Sequence, residues 1–540
     1  MNDVVTARAA DHLARRLFEA GCRRAFGMPG GEVLTIVDAL EKAGIRFILC
    51  KHENNAGFMA EGAHHRDGAP ALLVATVGPG VANGINVVAN AQQDRVPMIV
   101  LSGCVDADEA QTYTHQVFDH AQVLRSITKE SFRLSAASAD IIADKAVNIA
   151  LEGRAGPVHI DVPISVADQE VTLRPRRRAA TARAVPAAGP DLDRARRWLG
   201  DARRPVMIAG LDAVAEEAAN EIASFCDRFG VPLITTYKAK GLLQEKHPLS
   251  LGGAGLSPKN DRVLLPFVQS ADLIICAGYD PIEMRPGWRE IWDPATHNVI
   301  DITPEPNTHY MHQAGVAFVA GTGETLAVLG KDVEARATWE NGEVAATKAA
   351  LLEAFPNNCD WGPSGIIDEC RKVLPQETLA TADSGAHRIL LSQMWEVSEP
   401  RGLIQSSALC TMGCAVPMAI GLALAEPHRP VISFSGDAGM LMVTGELSTA
   451  AELGVRPIFL VFVDASLALI ELKQRQRQLR NAGVDFGQHD FAAIGRAFGG
   501  QGATVQNRAE LRAALQEAQS SDRFTVIAAV IEPHAYDGLI

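Results

Sequence analysis

Short apolar runs recur along this chain, each followed by a Gly-rich turn and a helical stretch. Within the runs hydrophobicity is continuous rather than alternating. That marks strands covered on both faces, and so parallel sheets flanked by helices. FILC (47–50), ALLVATV (71–77), PMIVLSG (97–103) and PVHIDVP (157–163) form a first group. PVMIAGL (205–211), PLITTY (232–237), ADLIICAGY (271–279) and HNVIDIT (297–303) form a second. ETLATAD, PVISFSGD, PIFLVFVD and FTVIAAVIE, between 377 and 532, form a third. Two breaks separate the groups: the Arg-, Ala- and Pro-rich stretch 174–191, which reads as a solvated linker, and FPNNCDWGPSG (355–365). The pattern predicts three doubly wound α/β domains, at about 1–172, 190–335 and 360–540.

Composition narrows the function. A length of 540 residues exceeds one hydrophobic core. A formal charge of -14 leaves no basic surplus to neutralise phosphates, which argues against nucleic acid as a partner. The nine cysteines are scattered and odd in number, with no CxxC pair. Such usage fits a reducing compartment better than disulfides or zinc. The opening MNDVVTARAADHLARRLFEAG predicts an amphipathic helix carrying charges, unlike a signal peptide. No run of about 18 uncharged apolar residues is present to span a membrane. A cytoplasmic place is expected.

The most informative stretch is SGDAGMLMVTGELSTAAELG (435–454) followed by RPIFLVFVDAS. An apolar strand ends in Gly436-Asp437, a helix begins within two or three residues and stops at Gly454, and a second strand delivers Asp464. In an open α/β sheet both strand ends lie on the carboxyl edge, where ligands bind. A helix start there offers backbone N–H groups to an anion. Two such aspartates suit Mg²⁺ carrying a diphosphate. An ordinary strand–helix turn has the same local look.

This stretch resembles the thiamine-diphosphate-dependent enzymes, which carry Gly-Asp-Gly, some 24–27 residues, and then Asn-Asn. Here 24 residues separate Ala438 from Val463, so Val463-Asp464 falls on the Asn-Asn pair. Ala438 replaces a glycine, which is tolerable where φ stays negative. The flavin-free catabolic acetolactate synthases are similar here, with Val-Asp in that place. The resemblance implies a metal held by Asp437, Asp464 and the backbone carbonyl of Ser466. It places the cofactor against Gly436, Ala438, Gly439 and Met440. KHENNAGFMAEG (51–62) resembles the family's Arg-His-Glu segment, with Lys51 for Arg. It implies that Glu53 hydrogen-bonds N1′ of the aminopyrimidine and favours the imino tautomer that activates the thiazolium carbon. The flanking FGMPGG (26–31) and 76–103, with Pro79, Asn83, Asp94 and Pro97, resemble the same pattern. ADSGAHR (382–388) resembles the family's turn against the diphosphate through Gly385 and His387, with Ala386 where glutamine is usual. Met412, in the Thr-Met-Gly step, matches the apolar residue that bends the cofactor.

The resemblance covers nearly the whole chain and is to the acetolactate (acetohydroxyacid) synthase type. It implies decarboxylation of a 2-oxo acid such as pyruvate and transfer of the resulting enamine to an acceptor, for instance a second 2-oxo acid. HQVFDHAQVLRSITKESF (115–132) places Gln116 on the synthases' active-site glutamine. GYDPIEMRPGW (278–288) is similar to the flavin-free synthases, so thiamine diphosphate and Mg²⁺ are expected and FAD is not. Lys473 falls where biosynthetic synthases place an acceptor-selecting tryptophan. It either faces an acidic acceptor or lies on a solvated helix face. Since the family's glutamate acts on a cofactor held by a partner chain, a homodimer or homotetramer is expected. A non-oxidative 2-oxo acid decarboxylase and a degenerate cofactor-binding protein stay open as alternatives. His64-His65 resembles the paired histidines of the decarboxylases, but a solvent-facing place on the helix is expected. Arg285 is a further candidate clamp for a carboxylate.

Overall fold

A computed structural model describes residues 4–173 and 181–540. Residues 174–180 of the expected linker lie outside them. The start differs from the expected single helix. VTAR forms β1 (Val5–Arg8), and the helix runs only over Ala9–Glu19. β1 pairs antiparallel with β8 (Glu170–Leu173), where Thr6 and Thr172 hydroxyls meet at 2.7 Å.

Three six-stranded sheets follow, parallel throughout. The first holds β2 (Arg24–Met28), β3 (Arg46–Leu49), β4 (Ala71–Ala75), β5 (Met98–Cys104), β6 (Glu130–Arg133) and β7 (Val158–Pro163). Its order is β3-β2-β4-β5-β7-β6. The second holds β9 (Pro205–Ala209), β10 (Leu233–Thr236), β11 (Ser250–Ala254), β12 (Leu273–Ala277), β13 (Asn298–Thr303) and β14 (Val316–Val319), in the order β11-β10-β9-β12-β13-β14. The third holds β15 (Leu379–Ala382), β16 (Leu403–Gln405), β17 (Val431–Gly436), β18 (Ile458–Val463), β19 (Gln501–Val505) and β20 (Thr525–Val530), in the order β16-β15-β17-β18-β20-β19.

Successive strand residues feed opposite faces. Leu72 and Val74 enter one core, Leu73 and Ala75 another, as the two-residue period of a strand requires. The second of these cores is shared between the first and third sheets, joining Phe26 and Leu73 to Met418, Phe459 and Val526. Its centre is a close crossing of helix Glu53–Asp67 with helix Ala415–Ala425. A Cβ on Gly62 would lie 2.2 Å from the Met418 carbonyl oxygen, and one on Gly421 2.0 Å from that of Met59. Only glycine permits this approach, and it docks the Glu53 helix onto the carboxy-terminal sheet. Asp94 joins all three sheets: it pairs with Lys238 at 2.9 Å and accepts the backbone N–H groups of Ser407 and Ala408. Among the described residues, no helix is long and apolar enough to cross a membrane.

Candidate active site

The third sheet reverses its winding between β15 and β17, because β15 is followed outward by β16 and β17 by β18 on the other side. Crevices open at such points outside the strands' carboxyl ends. β17 runs to Gly436, an extended residue, and a helix begins at Asp437. Ala438 lies inside that helix and has no positive φ, so alanine is unstrained there. Asp437 is buried. Its Oδ1 accepts the N–H of Ala438 at 2.8 Å, and its Oδ2 those of Asp464 and Ala465 at 3.1 and 2.7 Å. Asp464, just past β18, accepts the N–H of Ser466, whose hydroxyl donates to Asp485. Burial, then the charge of Asp437, pushes the Asp464 carboxyl up to about 7. Among the described residues neither carboxylate has an ion-pair partner. Two carboxylates, one buried and one half-buried, that repel one another suit a divalent hard cation, which would relieve that repulsion.

Asp383 organises the opposite wall. Wholly buried, it takes the His387 Nε2 at 2.8 Å on one oxygen and the N–H of Gly413 at 2.7 Å on the other. Gly439 lies against it so closely that a Cβ would stand 1.9 Å from Oδ2. Gly385 is constrained likewise, since a Cβ there would fall 2.5 Å from the His387 ring. That ring stacks on Phe462 at 5.4 Å. Gly413 has φ +76°, a turn that presents Met412 ahead of helix Ala415–Ala425. Gly385, His387, Met412, Gly436, Ala438 and Gly439 line one cavity of about 120 Å³. Asp437, Asp464 and Ser466 line it too, along with Tyr536. Met440 does not: its side chain is fully buried in the shared core.

Glu53 and Gln116 lie outside that cavity. Glu53 opens its helix, capped by His52, whose Nδ1 accepts the Asn54 N–H. One carboxylate oxygen accepts from Asn83 Nδ2 at 3.0 Å, and the other looks onto Gly80, where a Cβ would come within 3.2 Å. Gln116 sits on an exposed loop at φ +59°, its carbonyl packed on Gly78, where a Cβ would lie 2.2 Å away.

Beneath this turn is a buried network absent from the sequence reading. Gly78 N–H donates to His120 Nε2 at 3.1 Å, and His120 Nδ1 meets Asp161 at 2.8 Å. Asp161 also accepts from the Ser102 hydroxyl, which bonds His159 Nε2. Although burial works against ionisation, the His120 and His159 hydrogen bonds hold the Asp161 carboxyl well below the usual carboxylate range. Accepting the Gly78 N–H fixes His120 Nε2 as the bare nitrogen and Nδ1–H as the donor to Asp161. His120 thus latches the loop carrying Gln116 to the turn under Glu53.

Other expectations resolve differently. His64 and His65 are not solvent-facing: both are buried, bonded to the Ala69 carbonyl at 2.7 Å and the Glu61 carboxylate at 3.4 Å. Burial above all pushes both imidazoles well below their ordinary value. They line a larger cavity, about 710 Å³, at the junction of the domains. It holds none of the residues that converge at Asp437, so chemistry rather than size identifies the site. Arg285 pairs with Asp261 at 2.9 Å in the central domain. Lys473 is exposed on helix Ala468–Gln476, although Leu469 and Ile470 of that helix wall the small cavity. Lys51 pairs with Glu452 on the carboxy-terminal sheet's helix at 2.8 Å.

A helix start, two carboxylates with no ion-pair partner among the described residues, and a glycine-cleared wall meet at a sheet's switch point. Family models name the class. Residues 7–123 match "Thiamine pyrophosphate enzyme, N-terminal TPP binding domain", 192–329 its central domain and 383–529 its C-terminal TPP binding domain. The isozyme 1 large subunit of acetolactate synthase from Escherichia coli (strain K12) is 31% identical over 519 residues, covering 94% of this chain and 91% of that one. An acetolactate synthase of Bacillus subtilis (strain 168) is 28% identical, with 97% and 93% covered. A catabolic acetolactate synthase of Raoultella terrigena is 27% identical, with 97% and 95% covered. The chain belongs to the thiamine-pyrophosphate-dependent enzymes of the acetolactate synthase type.

Proposed function

We propose that this chain is a thiamine-diphosphate- and Mg²⁺-dependent carboligase that decarboxylates a pyruvate-like 2-oxo acid and joins the remaining acyl unit to a second 2-oxo acid. The observation that carries the reading is the convergence of Asp437 and Asp464, with no ion-pair partner among the described residues, on a cavity walled by Gly385 and His387. Bound thiamine diphosphate supplies a nucleophilic thiazolium carbon and a sink for the electrons released on decarboxylation. Asp437, Asp464 and the Ser466 carbonyl hold the cation, and Gly385, His387, Gly436, Ala438 and Gly439 shape the wall around the diphosphate. Met412 supports the cofactor's apolar side. Met440 contributes no side chain to this surface. Glu53, held by Asn83 and kept from bulk water, stabilises the proton on the aminopyrimidine N1′. Gln116 acts on the acceptor side.

The same reading requires a homodimer or homotetramer. What supports it is that Glu53 and Gln116 fall outside the single chain's cavity, whose 120 Å³ is below the ~300 Å³ of ordinary ligand sites. We further propose domain limits at about 1–172, 190–335 and 360–540, and catalysis without FAD. A cytoplasmic location fits the nine free cysteines. The test is product analysis of the purified chain with pyruvate, thiamine diphosphate and Mg²⁺. An acetohydroxy acid is expected. Acetaldehyde alone would make the chain a decarboxylase, and no consumption of any 2-oxo acid would make it a binding protein.

A further inference from the structure

The second sheet carries a cluster that the chemistry above does not use. Cys276 on β12 and Asp301 on β13 are direct partners in the parallel register, so their side chains stand together on one face. The segment between β13 and β14 folds back and adds His312, and the three ligand-type atoms lie within 4.8 Å of one another. All three residues are buried, at 0, 2 and 2% exposure.

Its hydrogen bonding is incomplete. Asp301 Oδ1 and His312 Nδ1 have no partner, although buried polar atoms normally find one. The remaining contacts are all long. His312 Nε2 stands 3.4 Å from Asp301 Oδ2, and Asn307 Nδ2 lies 3.3 Å from that oxygen and 3.4 Å from the His312 nitrogen. Hydrogen bonds of these types centre near about 2.9 Å. In contrast, tetrahedral zinc with N and O ligands at about 2.1 Å sets them about 3.4 Å apart. The His312 ring is clamped by Tyr279 and Trp292, with centroids at 5.2 and 5.3 Å.

We propose that Cys276, Asp301 and His312 bind a zinc-type divalent cation, with a water, or the Asn307 amide oxygen after a flip of that side chain, completing the tetrahedron. A thiolate, an imidazole and one carboxylate suit zinc and disfavour Mg²⁺, whose preference is for oxygen. On binding, the Cys276 S–H proton passes to solvent as the metal–sulfur bond forms, with no change of oxidation state. Full burial makes this a closed, structural site, tying the segment after β13 to the carboxyl edge of the second sheet. It is separate from Asp437 and Asp464 and does not depend on the proposed activity.

The experiment uses the full chain, stripped with a chelator and titrated with Co²⁺. Cobalt on the carboxylates of Asp437 and Asp464 has no sulfur ligand, so a thiolate-to-cobalt charge-transfer band reports only the second site. The expected result is such a band saturating at a single equivalent per chain, bleached by Zn²⁺ and missing in Cys276→Ala. His312→Phe keeps a ring between Tyr279 and Trp292 but removes the nitrogen, and should weaken cobalt at least ~10-fold. Absence of the band from the wild-type chain would overturn the proposal. So would a band that persists in Cys276→Ala, or unchanged cobalt affinity in His312→Phe.

Discussion

Gly439→Ala is the sharpest steric probe of the cofactor wall. The position is helical, so alanine is acceptable to the backbone and only space is at issue. The new Cβ would stand 1.9 Å from Asp383 Oδ2, whereas real Cβ atoms keep at least 3.0 Å from a neighbour. The carboxylate must therefore move by about 1 Å or the helix start must shift by as much. Asp383 bonds His387 and Gly413 at 2.8 and 2.7 Å, and such a displacement breaks at least one of these bonds. Hydrogen bonds to a buried charge are worth about 1.5–3 kcal/mol each, so losing both costs roughly 3–6 kcal/mol. In a domain of this size that lowers Tm by at least about 5 °C. Misplacing the His387 and Met412 turns by about 1 Å should also cost on the order of 10²-fold in kcat/KM. Thermal unfolding by circular dichroism and calorimetric titration with thiamine diphosphate measure the two effects. Gly84→Ala, whose Cβ would meet Leu73 at an ordinary 3.5 Å, serves as the tolerated control. Wild-type Tm together with wild-type cofactor affinity in Gly439→Ala would refute the reasoning.

Asp437→Ala removes one oxygen ligand and the acceptor of three backbone N–H groups, and should abolish calorimetric binding of thiamine diphosphate with Mg²⁺. Unchanged affinity would sink the metal assignment. Asp161 has a folded-state pKa below its unfolded value, so its stabilisation is complete above the ordinary carboxylate range and is lost as pH falls through the depressed value. Asp161→Asn, which loses the charge that His120 and Ser102 bond, should cost about 1.5–3 kcal/mol near neutral pH, a gap closing only in strong acid. Urea unfolding across pH checks this, and equal stability at neutral pH would contradict it.

The interior of each sheet was legible because its strands are buried on both faces and read as unbroken apolar runs. Every strand of the central pairings from β4 to β7, β9 to β13 and β15 to β20 that carries such a run was expected within a few residues. The strands that escaped notice are the small β1–β8 pair, the interior β2, and the edges β6, β11, β14, β16 and β19. An edge strand admits polar residues where it is half exposed, as in ESFR, and small ones where it is covered, as in the buried SLGGA, and neither reads as an apolar run. At the site, residues contiguous in sequence could be read together, as with Gly436 to Gly439 or Gly385 to His387. The His120, Asp161, His159 and Ser102 network was not legible, since three separate segments supply it and none has a distinctive spacing. His64 and His65 misled for a related reason. Their helix carries polar residues all round, yet it is enclosed by the first sheet and by helix Ala415–Ala425, with Gly57 and Gly62 allowing the close approach.

The central claim is that Glu53 activates a cofactor that other residues hold. Glu53→Gln keeps the side chain's size and its bond partner Asn83 while removing the charge. The measurement is hydrogen–deuterium exchange at C2 of bound thiamine diphosphate, in wild type and variant, beside a calorimetric binding constant. The account predicts exchange slower by at least ~10²-fold, the scale of a positioned acid–base group, with much less change in cofactor affinity. Equal exchange rates in the two proteins would contradict it.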